Sequence, residues 1–512
     1  MIGYDENLLD RFSDAELRNS ISLGKIGIEK ESLRVFQGKI SQSRHFDSVG
    51  SALCNRYITT DFSEALLELI TPPYENNIQT LEFLDNVHHF VTHNLEDDLL
   101  WPLSMPPLIY SESEIPIAEY GVSNQALFKR IYREGLSHRY GKLMQVISGL
   151  HFNYSLPESF WGCIKDLYPK YTIDELSSTI YFRTLRNLKR MNWLILLLFG
   201  ASPFISKNFL NNDSDDFKKF KGDYYLPYAT SLRMSDLGYQ NFNRSTLKVS
   251  LNSLNEYTEA LFYATQTESE EYKKIFNNVS NQYPQLNSNL LQIEDEYYSI
   301  ARPKSNDLSN IRLLKKLKSN GVDYIEFRSL DLNPFNRSGI DLNTINFMEI
   351  FLLYCSLIPS PPITDKEIKE LNKNDLKVAR EGRRKGLKII KEGKLVPLRD
   401  WAHSILDEMS VLSNIFGKDN NSLDHYRDII SNPNLSISGM LLDNLFEKNI
   451  SFQEMGIELA QTYKEQFLQL KPSENIYWDS LKEEAVSSLI KQDNLEKNTK
   501  ETFEEYLMKY FA

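Results

Sequence analysis

The stretch Gly27-Ile-Glu-Lys-Glu-Ser-Leu-Arg-Val35 decides how this chain is read. On a β-strand successive side chains alternate between faces, so Glu29 and Glu31 share one face and Ile28 and Lys30 the other. Taken alone, the pair also suits an edge strand with a solvated acidic face. Three further segments repeat the pattern. Thr59-Thr-Asp-Phe-Ser-Glu-Ala-Leu-Leu-Glu-Leu-Ile-Thr-Pro72 holds Glu68 inside the apolar run Leu66–Ile70, after Asp61. A charge there is costly unless paired or metal-bound. A helix with Glu64 and Glu68 both in water is the competing reading, and Pro72-Pro73 weakens it. Ser148-Gly-Leu-His-Phe-Asn-Tyr-Ser-Leu156 sets His151 and Asn153 against Leu150, Phe152 and Tyr154. Asp323-Tyr-Ile-Glu-Phe-Arg-Ser-Leu-Asp331 sets Glu326 and Arg328 against Ile325 and Phe327, which would also suit a weak surface ion pair.

Several strands that aim carboxylates and one imidazole at a common face predict a site for Mg²⁺ or Mn²⁺, cations that favour hard oxygen ligands and serve phosphate chemistry. Two stretches rich in Tyr and Arg, 224–239 with Arg233 and 286–303 with Tyr298 and Arg302, supply groups able to grip a carboxylate or phosphate. Other signals fail. Gly135-Leu-Ser-His-Arg-Tyr-Gly-Lys-Leu143 lacks the spacing and final hydroxyl of a P-loop. His89 and His93 lie four apart without the glutamate of a zinc-protease helix, and neither a Gly-x-Ser-x-Gly elbow nor a Cys-His signature is present.

The rest of the chain bounds the class. Its 512 residues allow one to four domains, and an aromatic content of 12% excludes extensive disorder. The net charge of −12 excludes a general nucleic-acid binder, since such a domain carries a basic footprint. Three scattered cysteines form neither a disulfide framework nor a metal motif and fit a reducing cytoplasm. The N-terminus shows no basic-then-apolar leader, and the apolar run from Trp193 is broken by Gly200 and Pro203, short of the roughly 20 residues a bilayer needs. Asp5–Leu23, Thr80–His93 and Tyr171–Phe199 read as helices by period, and 206–223 as a polar surface loop. Pro359-flanking punctuation at Ile358-Pro-Ser-Pro-Pro-Ile-Thr-Asp-Lys-Glu367 ends one helix and begins another with Thr364 and Glu367 at capping-box spacing. An α+β protein is predicted: a catalytic region over 1–357, then an all-helical region over 358–512 that buttresses it within one structural unit.

The same residues resemble the proteobacterial type of glutamate–cysteine ligase, in ordered blocks from Gly24 to Arg383: GIEKESLRV, GSALCNRYITTDFSEALLELITP, WPLSMPP, YREGLSHRYGKLMQVISGLHFNYSLP, YLPYATSLRMSDLGY, NSNLLQIEDEYYS, YIEFRSLDLNPF and EGRRKGL. The resemblance weakens after Lys388. It implies a fold like that of glutamine synthetase, a curved antiparallel sheet forming a funnel and flanked by helices. It also implies ATP-dependent formation of γ-glutamylcysteine from L-glutamate and L-cysteine through a γ-glutamyl phosphate, the first step of glutathione synthesis. Glu29, Glu31, Asp61, Glu68, His151 and Glu326 would hold the metal ions, and Arg328, beside Glu326, would contact ATP or the transferred phosphoryl group. Arg233 would grip the glutamate α-carboxylate, with Gln145, Ile147 and Asn153 near its amino group. Tyr132, Leu136, Tyr239 and Tyr298, with Arg133, would form the cysteine pocket. A monomer and feedback inhibition by glutathione are further implications. Lys30 stands where the family commonly has Arg, harmlessly if it lies on the opposite strand face. A ligase with another amine acceptor and a non-catalytic relative are the competing readings, and the second would need a broken acid set that this sequence does not show.

Overall fold

The computed structural model describes residues 24–210, 216–238, 247–278, 283–307, 311–417 and 420–511. The helix expected over Asp5–Leu23 lies outside these residues, as does Tyr239. At the centre is an eight-stranded sheet built from β1 (Lys25–Phe36), β2 (Lys39–Ile40), β3 (Ile58–Thr60), β4 (Leu66–Ile70), β5 (Leu99–Leu100), β6 (Leu150–Ser155), β7 (Ala301–Lys304) and β8 (Tyr324–Leu330). Its order is β7-β8-β6-β1-β4-β3, with every neighbouring pair antiparallel; β2 and β5 pair with the far end of β1. Leu66–Ile70 is thus a strand, which removes the helical alternative for Glu64 and Glu68.

One face of the sheet is apolar. Ile28, Leu67, Leu69, Phe152, Ile325 and Phe327 are completely buried there. They share a core with three helices, α1 (Asn77–Asn94), α2 (Ile173–Phe199) and α3 (Leu342–Leu357). Helix α2 opens with a reciprocal capping box between Thr172 and Glu175, and most of its length is buried, including the run from Trp193. Among the described residues no helix is long and apolar enough to cross a membrane. Lys30 is a charged residue on this face. Its Nζ lies 2.7 Å from His88 Nε2, and burial lowers its pKa to about 7. Its place behind the sheet agrees with the sequence reading, but it occupies a buried niche.

The C-terminal region departs from the expected all-helical plan. The helix Asp365–Glu381, with Thr364 as its N-cap, leads into a hairpin of Lys388–Lys391 and Lys394–Pro397 before helices resume. Isoleucine and valine in this run favour strand, a local signal that the helical period of the flanking segments masks. The polar 206–223 segment likewise contains a strand, Lys218–Phe220, at the edge of a small sheet. The hydrophobic core runs without a break from Ile26 to Leu481, so the region after residue 358 packs into the same core as the sheet. Helix α4 (Phe452–Gln469) comes so close that Gly456 sits directly under the buried Trp101.

Candidate active site

The opposite face of the sheet carries the acids. Register sets them together: Glu29 pairs with His151 across β1–β6, Glu31 with Glu68 across β1–β4, and Glu326 with Asn153 across β8–β6. His151 Nδ1 stands 3.3 Å from Glu29 Oε2 and 3.3 Å from Glu326 Oε1, while its Nε2 is 3.6 Å from Glu31 Oε1. Asn153 Nδ2 donates to Glu29 Oε1 at 2.8 Å, and the Gly149 amide donates to Glu31 Oε2 at 2.5 Å. Arg328 Nη1 donates to Glu326 at 2.7 Å, and Lys304 Nζ lies 2.9 Å from the other oxygen of that carboxylate. The pair that could have been a surface salt bridge is therefore buried inside the site, with Glu326 only 1% exposed.

A cavity of about 460 Å³ covers this face. Its opposite wall is helix α5 (Asn124–Tyr140), which precedes α2 in the chain. Helix α5 presents Gln125, Phe128, Tyr132, Arg133 and Leu136 inward, the three- and four-residue steps of a single helix face. Two buried ion pairs brace the neighbouring loop, Arg139 with Glu296 at 2.9 Å and Arg312 with Glu294 at 2.9 Å. Arg133 Nε donates to the Asp61 carbonyl at 2.5 Å, tying the helix to the end of β3.

Of the residues expected from sequence, Glu29, Glu31, Asp61, Glu68, His151, Glu326, Arg328, Tyr132, Arg133, Leu136, Gln145 and Tyr298 line this cavity. Three do not. Asn153 is on the sheet face beneath it, bonded to Glu29. Ile147 is buried in the apolar cluster beside it. Arg233 is bound through Nε to Asp331 at 2.8 Å and through Nη2 to the carbonyls of Arg328 and Leu330, with Nη1 turned toward Gly149. Sequence reasoning missed Lys129, Lys304, Tyr506 and Tyr510 as lining residues. Period-two alternation from Arg302 could have found Lys304; nothing local points to two tyrosines near the C-terminus. His89 and His93 each turn Nε2 toward the Leu470 carbonyl, at 3.3 and 3.0 Å, a structural role.

The electrostatics are those of a site with too many acids for its own cations. Burial, then the charges of Glu29, Asp61, Glu31 and Glu326, push the Glu68 carboxyl well above the ordinary range. Burial also raises Glu31, with Asp61 adding to it against the pull of His151. Burial alone would raise Glu326, but Lys304, Arg328 and His151 reverse that and hold it well below its usual value. Buried and without a hydrogen-bond partner at the same place are Asn153 Oδ1 and Arg328 Nε. Carboxylates that repel each other, an imidazole among them, and unspent polar atoms fit a hard divalent cation. Glu29, His151 and Glu326 can each turn a ligand atom to within 4.8 Å of the others.

An antiparallel sheet that gathers acids and one histidine under a basic, aromatic wall is the architecture of an enzyme that sets cations against phosphate groups. Comparison with known proteins narrows this class. The family model described as glutamate-cysteine ligase matches residues 9–378. Curated glutamate–cysteine ligases from Alcanivorax borkumensis and Shewanella oneidensis are 40% and 39% identical, covering 95% and 99% of this chain and 95% and 98% of their own lengths. Among solved structures, a Francisella tularensis glutamate–cysteine ligase in complex with AMP superposes with a TM-score of 0.89 at 32% identity, covering 95% of this chain and 97% of that one. The chain belongs to the glutamate–cysteine ligase family. These relatives match far beyond Lys388, so the C-terminal region is part of the family's architecture and not an appendage to it.

Proposed function

We propose that the chain joins the γ-carboxylate of L-glutamate to the amine of L-cysteine at the expense of ATP, giving γ-glutamylcysteine, ADP and phosphate, the first step of glutathione synthesis. The observation that carries this reading is the convergence of Glu29, Glu31, Asp61, Glu68, His151 and Glu326 on one cavity wall, with Arg328 and Arg133 in the same cavity. Those six side chains would hold Mg²⁺ or Mn²⁺. Such a cation, when bound, neutralises phosphate charge and aligns the transfer.

The chain's own residues account for the remaining steps. Arg328, held by Glu326, stabilises the charge on the phosphoryl group as it passes from ATP to the glutamate γ-carboxylate. By the family resemblance Arg233, which Asp331 holds behind the cavity lining, would take the glutamate α-carboxylate, with Gln145 in the lining and Ile147 and Asn153 behind it around the amino group. Tyr132, Leu136 and Tyr298, with Arg133, would enclose the cysteine, and the family resemblance adds Tyr239 to them; the cysteine amine attacks the acyl phosphate carbon and expels phosphate. The curated relatives and the AMP-bound Francisella protein support the reading by their names and ligand. Glutathione, which contains the product dipeptide, is the expected feedback inhibitor. A cytoplasmic monomer acting as one structural unit across 1–357 and 358–512 completes the proposal.

The test is a coupled assay of ADP and γ-glutamylcysteine with ATP, glutamate and a series of acceptor amines. Cysteine is expected to be the preferred acceptor, with 2-aminobutyrate used less well. Strong preference for a non-thiol amine would rule out the cysteine assignment while leaving the ligase chemistry in place.

A further inference from the structure

The far C-terminus reaches the catalytic cavity. The helix α6 (Phe503–Phe511) lies against the N-terminal half of α5 and sends Tyr506 and Tyr510 into the cavity lining. Phe128 of α5 meets both: its ring centroid is 4.5 Å from that of Tyr510 and 6.1 Å from that of Tyr506. The helix is firmly seated. Thr502 and Glu505 cap its start reciprocally, Asn124 Nδ2 donates to the Glu501 carbonyl at 3.0 Å, Phe503 is buried, and Arg312 covers the Phe511 ring.

This aromatic wall adjoins the pocket proposed for cysteine at Tyr132, one turn of α5 from Phe128, and leads away from Leu136. Phe128 and Leu136 are eight residues apart on one helix, roughly 12 Å at 1.5 Å per residue. Between them lies Lys129, whose ammonium sits 5.0 Å from the Tyr120 ring centroid. The cavity's other cations are engaged: Arg302 by the Asp295 and Tyr297 carbonyls, Lys304 and Arg328 by Glu326, Arg133 by the Asp61 carbonyl. The Lys129 ammonium has its Tyr120 ring contact but no hydrogen bond or ion pair among the described residues, so a positive charge lines the cavity without an anionic partner. Of the three substrates, glutamate and cysteine are short and aliphatic; ATP alone offers a flat aromatic ring joined to a chain of anions. Base-to-aromatic stacking and a free ammonium match its two ends.

We infer that helix α6 closes the nucleotide end of the cavity, with Tyr506 and Tyr510, backed by Phe128, forming the wall that receives the adenine ring, and Lys129 receiving the polyphosphate. The inference rests on the ligase reading above only for the identity of the nucleotide. It makes Tyr506 and Tyr510 determinants of nucleotide affinity and leaves amino-acid binding to the other end.

The experiment is calorimetric binding of AMP and ATP to the full-length protein, followed by steady-state kinetics, for the wild type, Tyr506→Ala, Tyr510→Ala and Lys129→Met. The alanine variants are expected to bind AMP and ATP about tenfold more weakly and to raise the ATP KM by the same factor, with the glutamate and cysteine KM values unchanged. Lys129→Met is expected to weaken ATP more than AMP, because AMP lacks the outer phosphates. Should an alanine variant melt early, Tyr506→Leu and Tyr510→Leu keep the bulk without the ring face and decide the matter. Well-folded variants that bind AMP and ATP as the wild type does, or that raise only the cysteine KM, overturn the assignment. A wild type that binds both nucleotides yet makes no γ-glutamylcysteine overturns the ligase reading instead, and leaves the nucleotide wall standing.

Discussion

His151 and Glu29 face each other directly across β6 and β1, and the register of that pair places His151 Nδ1 3.3 Å from Glu29 Oε2. The same imidazole reaches Glu326 and Glu31, so one ring touches three carboxylates drawn from two other strands. A side chain that joins three acids organises the site, and its removal is informative. For His151→Ala, Mn²⁺ affinity measured by titration is expected to fall roughly 10- to 100-fold, the range typical of losing a group that orients or supplies a metal ligand. Unchanged affinity would remove His151 from the metal set.

Glu68 separates activity from stability. Glu68→Gln is expected to lower ATP turnover in Mg²⁺ by at least about tenfold. The same change removes one of several mutually repelling buried carboxylates. The metal-free variant should therefore melt above the metal-free wild type. Turnover nearly intact, or a lower melting temperature, would show that Glu68 does not sit among competing charges.

The pH dependence follows from the raised carboxyls. Glu68 and Glu31 titrate above their ordinary range in the metal-free protein, so a cation must displace protons to bind. Affinity for Mg²⁺ is expected to strengthen as pH rises through that range. Calorimetry in two buffers of different ionisation enthalpy should register proton release. For stability the sign is opposite. A carboxyl with a raised folded pKa favours the folded state below its unfolded value near 4.5, and that contribution is lost as pH rises through the folded pKa. The metal-free protein should lose stability over that window and regain it with Mg²⁺. Binding heats independent of buffer would contradict this account.

Gly456 tests how the C-terminal region holds the sheet. A Cβ there would meet the Trp101 ring at 2.0 Å, and Trp101 is completely buried. Gly-to-Ala within a helix is normally favourable by about 1 kcal/mol. Here overpacking costs roughly 1–3 kcal/mol and outweighs it. Chemical denaturation of Gly456→Ala should show a net loss of stability; a gain would mean that α4 and the sheet can part without cost.

Much of the sheet was legible because its signal is local. Alternation in Gly27–Val35, Leu150–Ser155 and Tyr324–Leu330 assigns each side chain to a face, and a buried charge in Leu66–Ile70 demands a partner. The sequence by itself therefore determined which residues are acids on strands, and the order of family blocks identified the family. It could not supply the register that sets Glu29 opposite His151 and Glu31 opposite Glu68, because pairing between strands depends on contacts between residues 122 and 37 positions apart. Tertiary structure alone decided that Arg233 lies beneath Gly149, that the Lys129 ammonium lines the cavity with no anionic partner among the described residues, and that Tyr506 and Tyr510 return to the site. Those positions are fixed by the packing of separate helices against one core, and no short stretch of sequence encodes the meeting of residue 128 with residue 510. The acids were written in strands; the walls that surround them were decided by packing.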